Sequence, residues 1–153
     1  MRKLTPYIPN LSDLWYRKEL TSDINTMSFN FKYGGIVNFD ENKWDSWYNK
    51  WVLSKTRYYA YLKNDDNEFV GEICYYLEDS KYKCSIIIDY KYRNKGYGNL
   101  GLNLLFEICK EKGIKELYDD IDVDNDIAMR LFLKNGFVIE YQTKEYIEVK
   151  KIL

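Results

Sequence analysis

The chain has 153 residues, which fits one domain with a sizeable core. Hydrophobic residues make up 46% and charged residues 31%, an ordinary globular balance, and the formal net charge is −1. That charge supplies no global field to attract nucleic acid, and no run approaches the roughly 18 consecutive apolar residues a membrane span needs. The opening stretch "MRKLTPYIPN" lacks the apolar centre of a secretion signal, so a cytoplasmic location is the expectation.

Histidine is absent, so any general base must be a carboxylate, Tyr, Cys, Lys or water. A histidine-ligated metal site is excluded. The three cysteines, Cys74, Cys84 and Cys109, form no CxxC pair and read as buried free thiols rather than zinc ligands. The 16 tyrosines fit a general drift toward Lys, Asn, Ile and Tyr, so single tyrosines carry little weight.

In chain order, "KLTPYI" reads as a short first strand. "LSDLWYRKEL" reads as a helix capped by Ser12 or Asp13, and "SDINTMSFN" as a further helical turn. "KYGG" breaks the chain at Gly34 and Gly35. "FDENKWDSWYNKWVLS" is a helix with Asp40 as cap, and Trp44, Trp47, Tyr48 and Trp51 recur along it at helical spacing. This stripe reads as core. The alternative is a groove wall formed with Trp15 and Tyr16.

Three strands follow: "RYYAYLKN", "EFVGEICYYLED" and "KYKCSIIID", whose short links make them antiparallel neighbours. A glycine loop then leads into a helix ending near Gly113. "KELYDDIDV" is a strand, "NDIAMRLFLKNG" a helix, and "FVIEYQT" and "KEYIEVKKI" two closing strands. The order β-α-α-β-β-β-α-β-α-β-β predicts a single α/β (α+β) domain over residues 1–153, with a mixed, mostly antiparallel sheet flanked by helices. The chain turns from antiparallel to parallel at the glycine loop. No repeat, low-complexity run or linker interrupts it.

The loop is "YRNKGYGNLG", between the apolar "CSIIID" and the helix "LNLLFEICKEKG". A helix N-terminus offers free N–H groups and partial positive charge, glycines let the backbone approach a phosphate, and Arg93 and Lys95 add cations. A tight turn whose glycines only permit packing is the alternative. Gly96, Gly98 and Gly101 also spell G-x-G-x-x-G, with Asp120 and Asp122 about twenty residues on, as in dinucleotide sites. The antiparallel strands before the loop and the single βα repeat after it argue against a doubly wound nucleotide fold. No GxxxxGK[ST] loop is present.

Read as R-x-x-G-x-G, residues Arg93, Gly96 and Gly98 resemble the acetyl-CoA loop of the GNAT N-acetyltransferase superfamily. "NDIAMRLFLKNGF" resembles that superfamily's N-x-x-A-x-x-L-[YF]-x-K-x-G-F stretch through Asn125, Ala128, Leu131, Phe132, Lys134, Gly136 and Phe137. The resemblance is best from about residue 68 to 140. It implies the GNAT fold and acetyl transfer from acetyl-CoA to a primary amine of a small molecule or peptide, in a monomer or homodimer, with no nucleic-acid or membrane partner. It further implies that the backbone of Arg93, Asn94, Lys95, Gly96, Tyr97 and Gly98 cradles the pyrophosphate. Main-chain groups of Ile86 and Ile88 would pair with the pantetheine arm, with the Ile88 N–H meeting the thioester carbonyl. Asn125 would reach the pantetheine or adenosine end, or cap its helix.

The resemblance places a tyrosine acid seven residues after the Asn, where this chain has Phe132. It places the base five residues before the Asn, at Asp120, in "YDDIDVD". Strand alternation sets Asp120, Asp122 and Asp124 on one face and Asp119 on the other, and clustered like charges are expected to raise one pKa. Glu72, sharing a face with Val70 and Cys74, is the second base candidate, and Asp89 the third. Because Phe132 cannot donate a proton, a non-catalytic acyl-CoA-binding or sensing module is the alternative function.

Overall fold

The computed structural model describes residues 2–153. Eleven regular elements follow the expected order: β1 (Thr5–Tyr7), α1 (Trp15–Ser22), α2 (Trp44–Trp51), β2 (Arg57–Lys63), β3 (Phe69–Glu78), β4 (Lys81–Ile88), α3 (Tyr97–Glu111), β5 (Glu116–Asp122), α4 (Asp126–Lys134), β6 (Val138–Gln142) and β7 (Tyr146–Ile152). The strands form one seven-stranded sheet in the order β1-β2-β3-β4-β5-β7-β6. Every neighbouring pair is antiparallel except β4 with β5. This is the mixed, mostly antiparallel sheet that the element order predicts.

The two faces of the sheet carry separate cores. On one, α3 lays Leu102, Leu105, Phe106 and Cys109 against Leu62, Ile73, Cys84 and Leu117, and α4 adds Phe132. The i, i+3, i+4, i+7 spacing of those α3 residues is why this segment is helical here. Gly101 lets α3 approach the sheet: a Cβ there would stand 2.7 Å from Ile86 Cδ1 and 3.1 Å from Leu62 Cδ1. Gly113 ends the helix at φ +79°, a left-handed conformation that glycine adopts without a Cβ clash.

On the other face α1 and α2 pack Tyr16, Leu20, Trp47 and Trp51 on Tyr59, Tyr61 and Cys74. Of the aromatic stripe, Trp47 and Trp51 are half-buried against this core, and Trp44 and Tyr48 are half-buried beside it. Trp47 meets the Tyr59 ring edge-on at 4.7 Å between centroids, and the Trp44 indole N–H donates to the Phe39 carbonyl at 3.0 Å. Trp15, half exposed, packs beside Tyr16 and Phe69. None of Trp15, Tyr16, Trp44 and Trp47 lines the large cleft described below, which corrects the groove-wall alternative.

Two local expectations also change. The first helix opens with a 3-10 turn, Leu11–Asp13, before α1, and the cap position is Asn10, whose N–H donates to Asp13 Oδ2 at 2.9 Å. Val70 does not share the face of Glu72. The β2–β3 register slips from Leu62↔Gly71 to Lys63↔Phe69, and this bulge turns Val70 into the α3-side core.

Candidate active site

β4 and β5 meet in one parallel register pair, Lys83 opposite Tyr118, and beyond it they part. The gap opens into a cleft of about 1520 Å³, lined by Ser85–Ile88, the loop before α3, Asp119–Asp122, the start of α4 and the turn Ser28–Tyr33. It lies at the C-terminal ends of two parallel strands, where α/β sheets bind ligands.

The strand wall presents unpaired main chain. The Asp89 N–H donates to Val70 O at 2.9 Å, toward β3. Strand alternation then turns the amides of Ile88 and Ile86 the other way, toward the gap. The Ile87 carbonyl points at β3 so closely that a Cβ on Gly71 would stand 2.2 Å from it. Gly71 is thus required where β3 and β4 meet beside the cleft.

At the end of the cleft, α3 begins. Asn94 and Gly96 have φ of +62° and +84°, and the first amide to find a helical acceptor is that of Leu100, bonded to Gly96 O at 3.2 Å. The N–H groups of Tyr97, Gly98 and Asn99 are left for a ligand, at the positive end of the helix dipole. The three glycines do different work. Gly96 supplies its φ, with nothing within 4 Å of a Cβ; a Cβ on Gly98 would stand 3.2 Å from both Leu131 methyls; Gly101 serves packing.

Arg93 is turned inward. Its Nε donates to Ile88 O at 3.1 Å and its Nη2 to Thr26 O at 2.8 Å. Two of its donors hold the loop to β4 and to the Thr26 turn, and the residue itself lines the cleft. The Lys95 carbonyl accepts from Arg2, and Lys95 lies outside the cleft lining. Asn125 caps α4, its Oδ1 accepting from the Ala128 N–H at 3.2 Å, with the residue facing the cleft.

The carboxylates separate sharply. Asp120 pairs through Oδ2 with Lys83 Nζ at 2.9 Å, while its Oδ1 is buried with no partner. Burial opposes the charge on Lys83, but the hydrogen bonds it donates to Asp120 and Glu78 outweigh it and hold the ammonium above its ordinary pKa. Asp122 sits below the usual carboxylate range because the Asp124 N–H bonds it, aided by Lys32. Asp119, with Leu117 and Ile121, is on the α3–α4 side. Burial pushes its carboxyl well above the usual range, only partly countered by the Asp120 N–H. The raised pKa in this cluster is therefore Asp119's, and its main cause is burial rather than like charges.

Glu72 does not line the cleft. It is buried on the α1–α2 face and paired with Arg17 Nη1 at 2.9 Å, and that guanidinium is enclosed by Phe39, Trp47 and Tyr59. Burial raises Glu72, with Arg17 offsetting part of the rise. Asp89, also buried, caps the turn Tyr90–Tyr92 by accepting from the Lys91 N–H at 3.2 Å. All three cysteines are buried, and burial raises each thiol, Cys109 to about 12, which removes them as thiolate nucleophiles.

Sequence reasoning missed one element of the cleft. Lys32 reaches Asp122 at 3.2 Å and Asp124 at 3.1 Å, and the Tyr33 hydroxyl donates to Asp122 at 3.2 Å. These bonds strap the turn Ser28–Tyr33 across to the end of β5. No local sequence signal marks a contact between residues ninety positions apart.

A parted pair of parallel strands ending at a glycine-lined helix N-terminus matches known proteins. The model of the Acetyltransferase (GNAT) family matches residues 20–137, and this chain belongs to that family. Protein YxbD of Bacillus subtilis (strain 168) is 36% identical over 80 residues, covering 52% of this chain and 49% of that protein, so the match spans about half of either. The spermidine N-acetyltransferase of Vibrio cholerae, solved in complex with CoA and spermine, superposes with a TM-score of 0.83 at 17% identity, covering 98% of this chain and 95% of that one. The PaiA N-acetyltransferase of Thermoplasma acidophilum, solved in complex with coenzyme A, gives a TM-score of 0.72 at 19% identity over 99% of both chains. Among the described residues no helix is long and apolar enough to cross a membrane.

Proposed function

We propose that this chain is an N-acetyltransferase that moves an acetyl group from acetyl-CoA to a primary amine of a small molecule or peptide by direct attack, with both substrates bound together. The observation that carries the reading is the gap between β4 and β5, walled by the free amides of Ile86 and Ile88 and ending at the free amides of Tyr97, Gly98 and Asn99. An extended polar arm fits the gap as an added strand, and a pyrophosphate fits the helix end. When bound, acetyl-CoA supplies the activated acyl group.

The chain's own residues divide the remaining work. Asn94–Gly98 form the phosphate cradle, with Arg93 and Lys95 shaping it and Asn125 facing it from α4. The Ile88 N–H polarises the acyl carbonyl. Asp120, which lines the cleft with Lys83 fixing one oxygen and the other buried without a partner, takes the proton of the acceptor amine. Glu72, sealed by Arg17, fits the role of base less well. The acidic rim of Asp122 and Asp124 favours a cationic acceptor, and likeness in fold to a spermidine N-acetyltransferase agrees with one.

The test is calorimetry of the purified protein with acetyl-CoA, coenzyme A, NAD and ATP, followed by thiol release and product mass across a panel of amines. Selective binding of the coenzyme A pair and acetylated product support the reading. Binding of NAD or ATP in preference overturns it. Acetyl-CoA binding with no turnover on any amine would favour the non-catalytic sensing module, the reading that Phe132 keeps open.

A further inference from the structure

We infer that the acceptor of this site is an apolar amine, a primary ammonium on a short tether to an aromatic body, and that Phe29 and Phe31 on the turn Ser28–Tyr33 select it. This narrows, and rests on, the transferase reading above. Of the seven phenylalanines, five are buried or half-buried and two are exposed, Phe29 at 44% and Phe31 at 82%. Both of the exposed ones line the cleft. A compositional drift toward tyrosine gives no reason to expose phenylalanine, which has no polar tip to place in water. The exposed rings of Tyr33, on the same turn, and Tyr90, just past β4, line the cleft with them. Single exposed apolar residues are ordinary, but four aromatic rings around one opening form a patch.

The turn stands over the place of attack. At one end the Thr26 hydroxyl accepts from the Tyr90 N–H at 3.0 Å, and the Thr26 carbonyl accepts from Arg93 Nη2 at 2.8 Å. At the other end Lys32 and Tyr33 each reach Asp122 at 3.2 Å. Counted along both strands from Lys83 opposite Tyr118, Asp122 is level with Ile87, and Tyr90 lies two residues past Ile88. Both anchors therefore lie close to the level of Ile88, whose amide would hold the acyl carbonyl.

The turn also comes from the side opposite the cofactor's phosphate end. It belongs to the connection between α1 and α2, which pack on one face of the sheet, whereas α3 and α4 pack on the other. An arm laid along β4 and ending at α3 leaves the turn facing what enters from the α1–α2 face.

Charge and apolar surface are divided across this opening. Asp122 and Asp124 stand at the end of β5, and the phenylalanines lie on the turn that runs from there toward Tyr90. A polyamine would use the carboxylates and leave the rings in water. An amine with an aromatic body uses both, removing ring surface from water against the turn while its ammonium is drawn to the carboxylates. The step balances. The ammonium gives one proton to Asp120, and the amine nitrogen forms a bond to the acyl carbon. The C–S bond breaks with its electron pair on sulfur, which leaves as thiolate, and the second amine proton passes to solvent.

The experiment compares 2-phenylethylamine, ethylamine, spermidine and a peptide with an N-terminal phenylalanine as acceptors. The wild type is set beside a variant carrying Phe29→Ala and Phe31→Ala, and calorimetry follows 2-phenylethylamine binding in the presence of coenzyme A. In the wild type, kcat/KM for 2-phenylethylamine should exceed that for each other acceptor by about tenfold. In the variant its advantage over ethylamine should shrink about tenfold and its Kd should rise about as much, with the acetyl-CoA Kd changed less than about twofold. A wild type that prefers spermidine or the peptide, or an advantage that survives in the variant, overturns the inference and leaves the transferase reading standing. A wild type that acetylates no amine at all overturns the transferase reading itself. If the variant does not fold, the wild-type order of acceptors and the calorimetry decide alone, and failure of 2-phenylethylamine to bind overturns the inference.

Discussion

Lys83 on β4 and Tyr118 on β5 stand opposite each other, and past this pair the two parallel strands separate. The Lys83 ammonium bridges Glu78 at 3.0 Å and Asp120 at 2.9 Å, so the same residue that marks the parting also ties β4 to the acidic strand. Everything the site offers lies on the open side of that pair.

Arg93→Ala should weaken acetyl-CoA binding by about tenfold, equivalent to one to two hydrogen bonds of ordering, because the loop loses its ties to Ile88 O and Thr26 O. The dependence of Kd on salt should stay close to wild type, since an inward guanidinium is not a primary phosphate contact. Calorimetry at low and high ionic strength checks this. A flattened salt dependence would show that Arg93 faces the phosphates directly.

Gly71→Ala should destabilise the fold by about 3 kcal/mol, because the new methyl must displace the Ile87 carbonyl and with it the β3–β4 ladder. Denaturant unfolding measures the loss. By contrast Gly34→Ala, where a Cβ would meet nothing within 4 Å, costs only the left-handed backbone at φ +105°.

Asp119 and Glu72 both have carboxyls raised in the folded state by burial. A raised folded pKa means the native state holds protons that the unfolded state has released. Their contribution is full below the unfolded carboxylate pKa and is lost as pH climbs through the folded value. Unfolding free energy should therefore drop from pH 4 upward on their account. Asp119→Asn should lack its share, so its stability relative to wild type should rise as pH climbs above about 4, until the wild-type carboxyl itself ionises. Thermal melts across that range check the sign.

Lys32→Ala should lower the KM of a cationic acceptor several-fold and leave acetyl-CoA affinity unchanged. The Lys32 ammonium occupies Asp122 and Asp124, the carboxylates a substrate ammonium would seek. The melting temperature should barely move, because exposed pairs of this kind contribute little to stability. Steady-state kinetics with an amine and with a neutral acceptor separate the effect. A KM that rises instead would place Lys32 among the acceptor's own contacts.

Local pattern alone carried most of the architecture. The helical spacing of Leu102, Leu105, Phe106 and Cys109, the short links between β2, β3 and β4, and the glycine loop before α3 all depend on residues close in the chain. The same holds for Asn125 as a cap and for the two motifs that mark the family. Asp119 was half visible: a carboxylate between Leu117 and Ile121 on one strand face is a buried charge in waiting. Its depth was not, because depth depends on β4, β7 and α4 arriving around it.

What tertiary structure alone decided are the long-range pairings. Glu72 met Arg17 rather than the cleft, Arg93 turned to Thr26, Lys32 crossed to Asp122, and a register slip moved Val70 to the other core. Each joins elements whose relative placement is set by how two faces of one sheet are filled. Propensity, periodicity and capping act over a few residues, so they determine the elements and their order. Which polar groups are paired, buried or left free is settled only when those elements pack, since burial and Coulomb attraction depend on distance in space and not along the chain.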